Sequence, residues 1–388
     1  MTSCGNPSPL GVYVHWPFCK SKCPYCDFNS HVREGVEQAR WRRALLRELE
    51  HAAREAPERQ VQTMFFGGGT PSLMEPQTVA ALIARTRELW DTAADIEITL
   101  EANPTSVEAS NFAALAQAGV NRVSLGLQAL DADALRFLGR QHSVDEAIAA
   151  LDVARRHFGR YSFDLIYARP GQTPQSWADE LDRALVLAGE HLSLYQLTIE
   201  RGTRFFTDRA RGLFTLPAEE EAAQMFEHTQ ARLAAAGLPA YEISNHARPG
   251  AACRHNLIYW QYRDYVGVGP GAHGRVATGD AKRATRRTSG PEAWLEAVER
   301  AGHGTAETAD VRGRDRVEEA LMMGLRLSDG IDREVFAVVA GLDPVEALGE
   351  TRLAALVEAG FLEIDAARFR ATAAGRQRLN ALLERLFA

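Results

Sequence analysis

Between Val12 and Ile199 the chain alternates short apolar, β-prone runs with longer stretches whose apolar residues recur at helical spacing. The runs predict strands over Val12–Trp16, Val61–Phe66, Ile96–Leu100, Arg122–Gly126, Ser162–Ile166 and Leu192–Ile199. The amphipathic stretches predict helices over Val36–Arg54, Pro76–Trp90, Val107–Ala118, Val144–Phe158 and Pro174–Ala188. Alternation of this kind predicts a parallel sheet with helices outside it. Right-handed crossovers curl such a sheet toward a barrel. Six units fall short of the eight in a closed barrel, and functional groups are expected where the strands end.

Beyond residue 200 the pattern changes. A helix is expected from Leu216 to about Ala236, with Pro217 and three glutamates in its first turn, as the helix dipole prefers. Helical patterns return over Trp294–Gly302, Arg312–Leu327, Arg333–Val339 and Val345–Ala359. Two short strands and a last helix follow, an arrangement like a winged helix. The expected division is 1–200 barrel, 201–290 barrel-closing segment and 291–388 helical, winged-helix-like domain.

Charge narrows the partners. The chain carries a net charge of −7 and a pI near 5.9, which argues against a general nucleic-acid surface. Residues 345–388 mix their charges, so the winged module reads as a packing or docking unit rather than a DNA reader. No apolar run reaches the length of a membrane span, which leaves room only for peripheral membrane contact. The N-terminus lacks a basic region followed by an apolar stretch, so no secretory signal is expected. Five cysteines in 388 residues do not form an oxidised framework, and a cytoplasmic location is expected.

Three of the cysteines stand together. Cys19, Cys23 and Cys26 follow the first strand with spacing C-x3-C-x2-C. Soft thiolates select zinc or iron–sulfur clusters. A four-iron cluster has four corners, so three thiolates would leave one iron open for chemistry. A zinc site with His31 or His15 as fourth ligand is the alternative.

The strings Tyr-Val-His-Trp-Pro-Phe-Cys and Cys-Pro-Tyr-Cys-Asp-Phe resemble the radical SAM superfamily, and within it the oxygen-independent coproporphyrinogen III oxidase-like family with its HemW branch. The resemblance implies a partial (β/α)6 TIM-like barrel. It implies a [4Fe-4S] cluster on Cys19, Cys23 and Cys26, with S-adenosylmethionine chelating the fourth iron. Later motifs arrive in the family's order. Gly67-Gly68-Gly69-Thr70 follows the second strand, where glycines let backbone approach a ligand. Glu101-Ala-Asn-Pro ends the third strand, Gly126-Leu-Gln128 the fourth, and Asp164 sits within the fifth. A charge in an apolar run calls for a partner, and an ion pair with Arg140 would supply one. Carried over from the family, the S-adenosylmethionine contacts fall on Tyr13, Tyr25, Gly68, Gly69, Thr70, Glu101, Gln128, Arg140, Asp164 and Thr198. The glycine-rich stretch Gly267–Gly271 would close the barrel mouth.

One further string, His255-Asn256-Leu-Ile-Tyr259-Trp260, resembles a signature that the HemW branch associates with heme. Imidazole and tyrosinate both ligate heme iron, and Arg254 or Arg263 could meet propionates. Cys253 is a rival ligand, and a hydrogen-bonded histidine beside core aromatics is the plainer reading. Two departures separate the chain from the oxidase: Asp27-Phe28 follows Cys26 where the oxidase has a further cysteine, and few residues precede the first strand. The reading is therefore a heme chaperone that passes heme to an acceptor protein, respiratory proteins included, without an assigned catalysed reaction. The alternative is a radical SAM oxidoreductase acting on coproporphyrinogen III or another tetrapyrrole.

Overall fold

Six parallel strands are laid side by side in chain order: β1 (Pro9–Trp16), β2 (Gln60–Gly68), β3 (Asp91–Ala102), β4 (Arg122–Gln128), β5 (Arg160–Tyr167) and β6 (His191–Gln196). The structure, a computed structural model, describes residues 8–388. Val12, Val14, Val61, Met64, Phe66, Ile98, Leu100, Val123 and Leu125 are fully buried. A parallel sheet covered by helices needs such residues. The alternate positions share the inner face. Tyr13 registers with Phe65, Phe65 with Thr99, Glu101 with Ser124, and Asp164 with Ser193.

The barrel does not close, because β1 and β6 are not neighbours. Each edge is extended instead. On one side β7 (Asn245–Ala247) runs antiparallel to β6. On the other, β8 (Asp264–Val268) lies parallel to β1, and β9 (His273–Thr278), β10 (Ala281–Arg287) and β11 (Thr305–Val311) continue antiparallel. The expected boundary at 290 therefore falls inside the sheet, since β11 pairs with β10.

A second hydrophobic core begins after β11. It gathers Leu321, Leu325, Phe336, Phe369 and Leu382 around a small sheet, β12 (Ile331–Asp332), β13 (Leu362–Ile364) and β14 (Arg368–Ala371), in the order β12-β14-β13. Helices with a small antiparallel sheet match the winged-helix expectation. Two predicted helices are broken. Residues 107–118 form Ser106–Ala109 and Phe112–Gln117, and residues 345–359 split into Pro344–Leu348 and Glu350–Glu358 at Gly349, whose φ is +83°. No helix among the described residues is long and apolar enough to cross a membrane.

One buried carboxylate staples the extension to the barrel. Glu48, on the helix Gln38–Glu55, is fully buried and accepts from Gly269 N and Gly304 N, both at 2.7 Å, and from Trp294 Nε1 at 2.9 Å. Arg287, also buried, lies 3.7 Å from it and pairs with Glu55 at 2.6 Å. Removing Glu48 leaves its three buried donors unsatisfied and takes from Arg287 one of its two carboxylates, Glu55 remaining. Glu48→Ala is expected to lower the free energy of unfolding by about 3–5 kcal/mol, read by urea denaturation of purified protein.

Candidate metal centre and cofactor cavity

The loop after β1 carries the three cysteines, and little regular structure holds it. Other segments bond it in place. Gly69 N donates to Trp16 O and Thr70 N to Phe18 O, at 2.7 and 2.9 Å. Phe205 N donates to Pro24 O at 2.9 Å. Asn29 Nδ2 donates to Pro270 O and Ser289 O, at 2.9 and 3.0 Å. The Gly267–Gly271 stretch thus clamps the cysteine loop through Asn29.

The glycines of Gly67–Gly69 serve packing as well as any ligand. A Cβ on Gly69 would come within 2.8–2.9 Å of backbone atoms of residues 16–18. Gly68 has φ +113°, and a Cβ there would strike the His15 ring at 2.5 Å. Both backbones must pass too close to the loop for any side chain.

Each thiol has one polar neighbour. Thr70 Oγ1 donates to Cys19 Sγ at 3.4 Å, Arg140 Nη1 donates to Cys23 Sγ at 3.4 Å, and Ser30 Oγ lies 3.5 Å from Cys26 Sγ. Hydrogen bonds to the sulfurs are among the levers that tune an iron–sulfur centre. Both histidines of the zinc alternative are engaged elsewhere. His15 is hydrogen-bonded to Tyr13 OH and Asn29 O, at 3.0 and 2.9 Å, and His31 Nε2 faces Asn29 Oδ1 at 3.1 Å. Among the described residues, no group of three or more His, Cys, Asp or Glu is disposed to hold a single ion.

The cysteines line one wall of a cavity of about 160 Å³. Tyr25, Gly68, Gly69, Thr70, Glu101, Gln128, Arg140 and Asp164 line it too, so the structure brings together most of the residues expected for S-adenosylmethionine. Tyr13 lies just beneath, near Glu101, its ring stacked on Phe65. Thr198 is the exception. Strand β6 ends at Gln196, short of the expected Ile199, and Thr198 is exposed and off the lining. The expected Asp164–Arg140 ion pair is absent. Ser124 Oγ donates to Asp164 at 3.2 Å, while Arg140 bonds Cys23, Asn103 and Gly126 O.

The sequence reading passed over Asn103, which donates to Thr70 Oγ1 at 3.2 Å and accepts from Arg140 at 2.5 Å. Its place two residues after a strand-end acid was the available signal. Glu108 was missed as well. It is buried, accepts from Asn103 N at 2.8 Å, and holds that turn.

Electrostatically the cavity favours a cation. Burial, and then the Asp164 carboxylate, push Glu101 up to about 8. Burial pushes Asp164 up to about 6. Gln128, held at φ +70°, keeps a buried Oε1 without a hydrogen-bond partner, as does Arg140 Nε. Unsatisfied polar atoms beside two carboxyls fit a polar, positively charged ligand such as a sulfonium amino acid.

The His-Asn-x-x-Tyr-Trp string lies elsewhere. It forms the helix Arg254–Trp260, whose first turn plugs the barrel floor. His255 is 1% exposed and stacks on Phe65 at 5.0 Å. Its Nδ1 meets Thr63 Oγ1 and its Nε2 meets Tyr259 OH, both at 2.8 Å. Burial, then the Arg122 guanidinium, push its pKa down to about 3. With both ring nitrogens engaged, His255 is not placed to ligate iron in this conformation, and Cys253 is buried beside Glu97. Asn256 Nδ2 donates to Tyr241 OH at 3.0 Å. Trp260 alone reaches the C-terminal unit, where the Arg326 guanidinium stands 4.4 Å over its ring.

Comparison with known proteins places this geometry. The family profile described as the radical SAM superfamily matches residues 13–184, and that of the HemN C-terminal domain matches 311–378. The heme chaperone HemW of Escherichia coli is 38% identical over 384 residues, 98% of either chain. The mitochondrial radical S-adenosyl methionine domain-containing protein 1 of Bos taurus is 44% identical over 338 residues, 85% of this chain and 76% of its own. Coproporphyrinogen III oxidase (HemN) from Escherichia coli superposes with a TM-score of 0.82 at 24% identity, covering 100% of this chain and 92% of that one. That last likeness establishes the fold.

A cationic ligand binds best once both carboxyls have lost their protons. Affinity for S-adenosylmethionine is therefore expected to fall as pH drops from about 8 through about 6, by up to about tenfold per pH unit for each proton displaced. Glu101→Gln should weaken binding at pH 8 and flatten the upper part of that profile, as equilibrium binding to the cluster-loaded protein will test.

Proposed function

The chain belongs to the HemW family of radical SAM proteins, and on that footing we propose that it is a heme chaperone, binding heme and passing it to an acceptor protein. The observation that carries this reading is the full-length likeness to a protein named as a heme chaperone. Local chemistry supports it. Where the oxidase continues to a further cysteine, this chain has Asp27 and Phe28, and Phe28 stands 61% exposed at the cavity rim.

In this reading Cys19, Cys23 and Cys26 hold a [4Fe-4S] cluster, and Glu101, Asp164, Gln128, Arg140, Tyr25 and the Gly68–Thr70 backbone receive S-adenosylmethionine. Such a group, when bound, supplies one-electron reducing chemistry and an open iron coordination position. The protein's own residues hold it in register. Arg140 links one thiol to the wall through Cys23, Asn103 and Gly126 O. Thr70 does the same between Cys19 and Asn103.

His255, Asn256, Tyr259 and Trp260 connect that cavity to the C-terminal unit. His255 and Tyr13 stack at 6.4 Å, Tyr259 sits edge-on to His255 at 4.8 Å, and Trp260 meets Arg326. We assign these four residues a shared part in heme handling, with the cluster and S-adenosylmethionine governing uptake or release rather than a turnover. The oxidoreductase alternative predicts consumption of coproporphyrinogen III under anaerobic, reducing conditions.

Cys19→Ser should abolish the iron–sulfur charge-transfer absorbance and impair heme transfer to an acceptor apoprotein, while wild type leaves coproporphyrinogen III unconsumed. Unimpaired transfer without a cluster would defeat the cluster's role. Turnover of the porphyrinogen would replace the chaperone reading with the enzyme.

A further inference from the structure

The residue of the string that faces outward borders a second cleft. It lies between the turn Trp260–Arg263 and the C-terminal unit, and measures about 240 Å³. Trp260, Leu327, Ile331, Val335, Phe336 and Val339 form the apolar part of its wall, and Gln261, Arg263, Asp332 and Arg368 the polar part. Val335 is 39% exposed and Val338, further along the same helix, 79%.

Two arginines border this wall. Arg263 is half-buried, and among the described residues no carboxylate pairs with it. Its one side-chain bond is Nε to Gln261 Oε1 at 2.7 Å. Burial alone pushes its pKa down, with no acid to restore it. A half-buried guanidinium without a counter-anion can take a ligand's carboxylate. Arg368 stands at the rim, 45% exposed, with only a 3.9 Å approach to Asp332. Asp332 is itself engaged as a helix cap, accepting from Val335 N at 3.0 Å. The Trp260 indole N–H is buried with no hydrogen-bond partner.

We propose that this cleft binds heme by one edge, with the macrocycle against the apolar wall and its propionates on Arg263 and Arg368. The proposal rests on the chaperone reading above and names where the cargo sits. At about 240 Å³ the cleft is smaller than the ~300–1,000 Å³ pockets that enclose most of a ligand. It would leave much of the ring outside, which suits a cargo that must be handed over. No histidine, cysteine or methionine lines it, so the grip is on the ring and its carboxylates rather than on iron.

The test is an anaerobic titration of the full-length, cluster-loaded protein with hemin, followed by its Soret band. Arg263→Glu and Val335→Asp should each weaken hemin binding about tenfold or more, with cluster content and S-adenosylmethionine affinity unchanged. Arg368→Glu, at the exposed rim, should do the same and serves if either first variant fails to fold. Iron-free protoporphyrin IX should compete with hemin. Unchanged hemin affinity in the folded variants, or failure of protoporphyrin IX to compete, would overturn the cleft and leave the chaperone reading standing. No hemin uptake by wild type would remove the chaperone reading itself.

Discussion

Three thiols have to be held at fixed places by a loop whose own regular structure is a short parallel pairing of Phe18–Cys19 with His31–Val32 and a few turn bonds. That requirement shapes much of the molecule. The loop borrows its rigidity from backbone bonds with the second barrel crossover at Gly69 and Thr70 and with Phe205 beyond the barrel, and from the Asn29 side chain, which donates to Pro270 O and Ser289 O in the sheet extension. The Gly69–Thr70 and Pro270 segments back onto the main core, and Phe205 onto a smaller cluster. A buried backbone group must find a partner, so the loop is defined only when all three segments are in place. The Glu48 staple matters for this reason: Gly269, one of its donors, stands next to Pro270.

The same economy of placement governs the barrel interior. Polar side chains cannot face a dry lumen without partners, and here they fall into two tiers. The upper tier, with Glu101, Asp164, Ser124 and Gln128, retains two carboxyls raised by burial and an unsatisfied amide oxygen. The lower tier is satisfied internally. Thr63, His255 and Tyr259 bond one another, and Ser162, His191, Tyr241 and Asn256 form a second chain. The tier left wanting partners suits a polar ligand, and the satisfied tier closes on itself. Phe65 and Tyr13 separate the two, so the plug touches the cofactor cavity only through stacked rings.

The lower tier continues outward. Trp260 passes under Arg326, whose guanidinium pairs with the buried Glu242 at 2.9 Å. Tyr262 joins the core of the C-terminal unit and donates to Glu319 at 2.7 Å. The winged module is thus fastened to the plug by side chains within a few residues of the string. The barrel interior and the module are thus joined through one short helix.

Much of this was legible in the residues alone. Apolar runs of strand length separated by amphipathic helices determine a parallel α/β sheet, because period and length are local properties. The C-x3-C-x2-C spacing puts three thiols on one loop, and the family resemblance carried by that string and the later motifs implies a cluster there. Tertiary structure decided what depends on distant partners. Gly69 is required by the backbone it passes and Gly68 by the His15 ring and its own positive φ, and Thr198 falls off the cavity because β6 stops two residues earlier. His255 looks like a ligand in sequence because imidazole is one. Whether its nitrogens are free is set by Thr63, far away on β2, and no local pattern reports that.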